Sequence, residues 1–374
     1  MALFNKSDLN LGDSVVEKRR KALIRKNRMT SIISIVGCMV AFIVVMAASV
    51  ALYIWVDEGI QENAATIANL DAQETNDASA TYTQAEMEAK AALLAEEEKQ
   101  KLLDQLAEGL NSGNTMVETL RPLYKYDIVV VSSGKFHFVP ISDKLKKHDY
   151  KTENLMISGD EIVYTENGQV ISHKGIDVSK HNGAIDWSQV AADGIEFAFI
   201  RVGIRGYGAE GRLVEDEGFE ENVESALANG LKVGVYFFSQ ATTVEEAVEE
   251  AEFVKQIIAP YKIECPVVFD VEKIADSEAR MNKISVEDRT RMAITFCNEI
   301  EKAGYKSMIY YNMEMAALML DLEQLEDYDK WFAYYNQDIY FPYDFKIWQY
   351  TDKGKVAGID SDVDLNIAFE KIWE

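Results

Sequence analysis

Three times within residues 175–311 a helix-compatible stretch ends in glycine and passes at once into an apolar run. Ala192-Asp193-Gly194 precedes 195–202, Ala228-Asn229-Gly230 precedes 231–238, and Lys302-Ala303-Gly304 precedes 305–311. Glycine suits the left-handed position that closes a helix. The runs that follow are β-branched and aromatic without strict alternation, the pattern of strands buried on both faces. Such strands need helices packed against their sheet. Similar runs at 175–179, 266–272, 331–335, 345–350 and 363–365 bring the strands to eight. Eight strands with interleaved helices predict a parallel β/α barrel, TIM-like but irregular, with its last helices reduced. An open doubly wound sheet is the alternative, although no Gly-rich phosphate loop follows the first strand.

The 174 residues before this region divide by composition. Residues 1–30 carry eight Lys and Arg against three acids, within a chain of net charge -25. No charged residue occurs from 29 to 56. That exceeds the roughly 20 apolar residues that cross a bilayer and the 7 to 15 or so of a signal peptide core. The reading is a basic cytoplasmic tail (1–30) and a transmembrane helix (31–56) held in the lipid bilayer, with Tyr53 and Trp55 at its outer interface. The protein is therefore expected to be single-pass in the cell membrane, with its C-terminal domain outside the cell. Residues 57–120 are rich in Ala, Glu, Gln and Asn and read as a polar, helical stalk. Residues 121–174 turn strand-like: 126–131 and 135–141 flank Ser132-Ser133-Gly134, and 161–165 and 169–173 flank a turn at Asn167-Gly168. Two hairpins predict a small all-β module, read as a spacer. The acidity excludes nucleic acid as a partner, because phosphate binding needs clustered bases.

Chemistry in a β/α barrel gathers at the C-terminal strand ends. Asp177 ends the first strand and Asp364 lies in the last. Asp270 and Glu272 end the fourth, on one face and about 6.6 Å apart along the backbone. Carboxylates sharing a cavity raise one another's pKa, so one stays protonated while another stays ionised. That pairing is what cleavage of a glycosidic bond requires. A calcium loop at Asp360, Asp362 and Asp364 fails, since Leu365 and Lys371 stand where Gly and Glu are needed. No metal spacing or cofactor motif is present, and Cys265 and Cys297 read as buried small hydrophobes. Tyr207, Tyr236, Phe238, Tyr311, Tyr334 and Trp348 are candidates for stacking on sugar rings.

The ordered motifs GIDVSKHNG at 175–183, Ile185-Asp186-Trp187, Phe199-Ile200-Arg201, Asp270-Val271-Glu272, Ile347-Trp348-Gln349-Tyr350 and Val363-Asp364-Leu365-Asn366 resemble those of glycoside hydrolase family 25, the Cellosyl-type lysozymes. The resemblance implies hydrolysis of the β-1,4 bond between N-acetylmuramic acid and N-acetylglucosamine in peptidoglycan glycan strands. It makes Glu272 the general acid and Asp177, Asp270 and Asp364 the other active-site acids, with Asp270 orienting the acetamido group or acting as an anion. Attack by water, carboxylate or acetamido oxygen all remain open. Tyr236-Phe237-Phe238 departs from the Tyr-His-Phe of many members, and Asn182 stands where Gln is common. Residues 124–141 are similar to sequence ahead of such barrels in membrane-anchored clostridial-type proteins. The expected function is an anchored N-acetylmuramidase. The rival is a non-catalytic wall-binding protein using the barrel as a lectin, motivated by the missing His and the stalk.

Overall fold

The computed structural model describes residues 83–373. The tail at 1–30 and the membrane span at 31–56 lie outside the described residues. The chain divides into two units, Met1–Asn111 and Ser112–Glu374. Of the first, a single helix is described, α1 (Gln84–Asn111), with no buried residue. Thr83 and Glu86 cap its start reciprocally: the Glu86 carboxylate accepts from the Thr83 N–H at 2.6 Å, and the Glu86 N–H donates to the Thr83 hydroxyl at 3.3 Å. Among the described residues no helix is long and apolar enough to cross a membrane.

The second unit opens with α2 (Met116–Leu120) and the hairpin β1 (Asp127–Ser132) and β2 (Lys135–Pro140). Ser133 and Gly134 both take positive φ at its turn, as do Asn167 and Gly168 at the turn that joins 161–166 to 169–170. A three-stranded sheet follows, β3 (Leu155–Ser158), β4 (Glu161–Glu166) and β5 (Gln169–Val170). Eight further strands close a barrel: β6 (His173–Val178), β7 (Phe197–Arg205), β9 (Lys232–Phe238), β10 (Val267–Asp270), β11 (Ser307–Asn312), β12 (Asp329–Ala333), β13 (Ile347–Gly354) and β14 (Val363–Ala368). The short β8 (Leu213–Glu215) adds to the edge of β7. Closure is complete because β6 pairs with both β7 and β14.

Helices α3 (Trp187–Ala192), α4 (Phe219–Ala228), α5 (Val244–Ile258) and α6 (Val286–Lys302) follow the first four barrel strands. After β11 only a π-helical turn, Met315–Met319, remains. The reduction of the last helices agrees with expectation, but the all-parallel sheet requires correction. β14 runs antiparallel to both β13 and β6. Its connection from β13 is a short irregular hairpin with register shifts, too short for the crossover that a parallel strand needs.

The wall left without helices is covered by the segment that precedes the barrel. Tyr150 stacks on Phe369 with centroids 3.8 Å apart, and its hydroxyl donates to the Phe345 carbonyl at 2.9 Å. Tyr164 meets Phe369 edge-on, and the Ser142 N–H donates to the Tyr343 hydroxyl at 2.8 Å. Residues 121–174 thus belong to the same compact unit as the barrel.

Alternate strand positions separate two cores. Ala198, Ile200, Val233, Phe237 and Ile309 face outward into the larger cluster. Phe197, Phe199, Val268, Met308, Trp331 and Ile347 fill the barrel interior. Gly175 lies opposite Phe197 across the β6–β7 pairing, and a Cβ there would stand 2.2 Å from the Phe197 ring. Gly175→Ala is accordingly expected to destabilise the unit by about 1–3 kcal/mol, as overpacking does. A urea denaturation midpoint unchanged from the parent would contradict it.

Candidate active site

The interior aromatic floor ends one layer below the mouth, and the next layer up is polar. Period 2 sets this: Asp177 follows Gly175, Arg201 follows Phe199, Asp270 follows Val268 and Tyr310 follows Met308 on the same inward face. Parallel register aligns Phe238, Asp270 and Tyr310 on three adjacent strands. Glu272 continues the Asp270 face beyond the strand. Asp364 reaches the same mouth only because β14 is reversed, which puts the strand's first residues there, paired with Asp177. All four acids line one cleft of about 210 Å³.

The acids differ in their partners. Asp177 Oδ2 accepts from Gln349 Nε2 and from Asn366 Nδ2, each at 2.8 Å. Those amides are fixed in turn: Gln349 Oε1 accepts from the Tyr310 hydroxyl at 2.8 Å and the Tyr335 hydroxyl at 3.0 Å, and Asn366 Oδ1 accepts from Trp331 Nε1 at 2.8 Å. Two locked donors favour the Asp177 anion. Burial nevertheless pushes its pKa up to about 6. Asp270 is buried with Oδ1 lacking any hydrogen-bond partner, and burial followed by the Glu272 charge raises its pKa well above the carboxylate range. Glu272 is pushed up to about 7, chiefly by burial and then by the Asp177 charge. Asp364 is raised to about 9, by burial and then by Asp177. At neutral pH the cluster holds more than one proton, and Asp177 is the first to lose its own. Arg201 stands at the wall with Nε 2.7 Å from Asp216 Oδ2, so its charge is largely committed there.

Of the six aromatic candidates, Tyr236 and Phe238 line the cleft. Tyr311 and Trp348 do not: both are buried in the outer core. Tyr334 also misses the acid cleft; its ring lies under the Arg121 guanidinium in a neighbouring cavity. Tyr207 is 51% exposed on the connection between β7 and β8 and does not line the cleft. The aromatic rings that sequence reasoning missed are Tyr310, Trp331 and Tyr335, and the missed polar groups are Arg201 and Gln349. The departure at Phe237 proves remote from the cleft. Phe237 faces outward, fully buried, its ring 5.9 Å from Phe253 of α5. No polar cleft group is lost there. Cys265 and Cys297 are buried and unpaired.

A barrel whose mouth carries a protonated acid beside a fixed carboxylate has the apparatus of a glycosidase. The sequence comparisons agree. The family described as Glycosyl hydrolases family 25 matches residues 176–359. The uncharacterized protein YegX of Escherichia coli O6:H1 is 30% identical over 209 residues, covering 52% of this chain and 68% of YegX. The autolytic lysozyme of Clostridium acetobutylicum is 25% identical over 198 residues, covering 52% of this chain and 55% of that protein. Among solved structures, the Clostridium perfringens spore cortex lytic enzyme SleM aligns with a TM-score of 0.47 at 22% identity, over 54% of this chain and 69% of that one. The chain belongs to glycosyl hydrolases family 25. It is a glycoside hydrolase of the muramidase type.

Proposed function

We propose that the protein cleaves the β-1,4 bond between N-acetylmuramic acid and N-acetylglucosamine in peptidoglycan, working from the outer face of the cytoplasmic membrane with residues 31–56 as its anchor. The observation that carries the chemical reading is the convergence of four carboxylates in which Glu272 keeps its proton near neutrality while Asp177 is held for ionisation. Glu272 protonates the departing glycosidic oxygen. The Asp177 anion opposes the positive charge that grows at the anomeric carbon. Asp270 Oδ1, buried without a partner, suits the N–H of a substrate acetamido group, whose arrival would satisfy it. Asp364 is the fourth acid, across the strand pair from Asp177. The uncharged run at 29–56 behind a basic tail supports the anchor and its orientation, and residues 124–141 support a membrane-anchored clostridial-type subtype.

Incubating the full-length chain with purified peptidoglycan tests the chemistry: release of reducing ends and falling turbidity are expected. Sedimentation with the wall and no clearing would instead favour the lectin reading, whose motive is weakened now that Phe237 faces away from the cleft. Wall polymers share the sign of this acidic chain, so affinity is expected to arise in the cleft rather than from bulk attraction. Binding of Glu272→Gln to walls should change less than about twofold between low and physiological salt, whereas surface electrostatics would be screened.

A further inference from the structure

Beside Glu272 lies a second cavity of about 410 Å³. Glu272, Tyr310 and Tyr335 line both spaces, so the two adjoin. The far wall of the second is not made by the barrel. It comes from the segment ahead of it, through Arg121, Val130 and Val131. That wall is pinned to the loop carrying the proposed acid: Lys273 Nζ lies 2.5 Å from Glu314 Oε1 and donates to the hydroxyls of Ser132 and Ser133, each at 3.2 Å, and Ser132 Oγ donates to the same Glu314 oxygen at 2.5 Å.

Arg121 is unusual in this setting. Its guanidinium lies 4.1 Å from the Tyr340 ring centroid, it donates to the Tyr334 hydroxyl, and its Nε is buried with no hydrogen-bond partner. Among the described residues no carboxylate is in ion-pair contact with it, in a chain of net charge -25. The Glu118 carboxylate, held by Thr115 and Asn336, feels the Arg121 charge without pairing with it; a cation left without a contact ion pair, with a donor unused, fits an anionic group brought by a ligand.

Position decides which part of the ligand that is. A general acid stands between the sugar that is retained and the sugar that leaves. Asp177, Asp270 and Asp364 line only the first cleft, and the second cavity meets that cleft at Glu272. We propose that this cavity is a subsite for the leaving-group side of the glycan strand, built by the segment ahead of the barrel, in which Arg121 binds a carboxylate of the stem peptide that the strand carries next to the departing N-acetylglucosamine. The inference rests on the muramidase reading above. The valines and Tyr335 supply the apolar wall on which a sugar face packs.

The test uses the full-length chain with two substrates: peptidoglycan strands, and an aryl glycoside of the repeating disaccharide whose leaving group is a lone phenol. Arg121→Ala is expected to lower the ratio of kcat/KM on strands to kcat/KM on the aryl glycoside by about tenfold, chiefly through KM for strands, as loss of a charge-assisted contact does. Arg121→Lys should recover part of the ratio. Val131→Asp, at a position already exposed, should lower it by setting a like charge in the path. Equal losses on both substrates, or an unchanged ratio in all three variants, overturn the subsite and leave the muramidase reading standing. Inactivity of the unaltered chain on both substrates overturns that reading, and the subsite with it.

Discussion

Glu272→Gln is expected to lower the release of reducing ends from peptidoglycan by roughly a thousandfold, the scale of a lost general acid. Glutamine matches the carboxyl in shape, so the neighbours of Glu272 need not move, but its amide has no acidic proton to give. The two amide donors on Asp177 are untouched by the change. Circular dichroism should therefore overlay that of the parent. Turnover retained within tenfold would remove Glu272 from the role and shift attention to Asp364, another acid held protonated at the mouth.

The same substitution is expected to stabilise the protein on the alkaline side. The Glu272 pKa is raised from 4.5 to about 7 in the folded chain. The folded state therefore holds that proton after the unfolded state has released it, and stability falls as pH rises through this window. Above it the buried anion costs on the order of 3 kcal/mol, at 1.36 kcal/mol per pKa unit. Glutamine never ionises and escapes the loss. Denaturation midpoints of parent and variant should coincide near pH 4 and separate in favour of the variant at pH 8; curves that stay parallel across the range would refute the raised pKa. Activity in the parent should rise as Asp177 ionises, about pH 6, and fall as Glu272 does, about pH 7. Those limbs report the coupled cluster rather than single residues.

The barrel was legible because its signals are local. Glycine at a helix end and an unalternating apolar run each follow from the environment of one element, and the eight runs became the eight barrel strands. Strand direction is not local. An apolar run reads the same either way along the sheet, so the reversal of β14 was hidden, though Asp364 reached the mouth because of it. Three of the six aromatic candidates fail in one way. Tyr311, Tyr334 and Trp348 were expected where Tyr310, Tyr335 and Gln349 line the cleft, each displaced by one residue. In a strand one residue is the difference between the two faces, and a run buried on both faces carries no mark of phase. The acids themselves hold that mark: counting in twos across the register from Asp270 reaches Phe238 and Tyr310. The packing of residues 121–174 on the barrel was illegible for a different reason. Their alternating pattern announces one buried face, and nothing within the segment says what covers it.

That packing also bears on how the chain acquires its structure. Tyr150 and Ser142 meet partners at Phe345 and Tyr343, 195 and 201 residues further along. The first β elements to emerge during synthesis thus cannot bury their apolar faces until almost the last residues have arrived. Contacts this remote in sequence make folding slow, and they tie completion of the segment ahead of the barrel to the arrival of the chain's last strands.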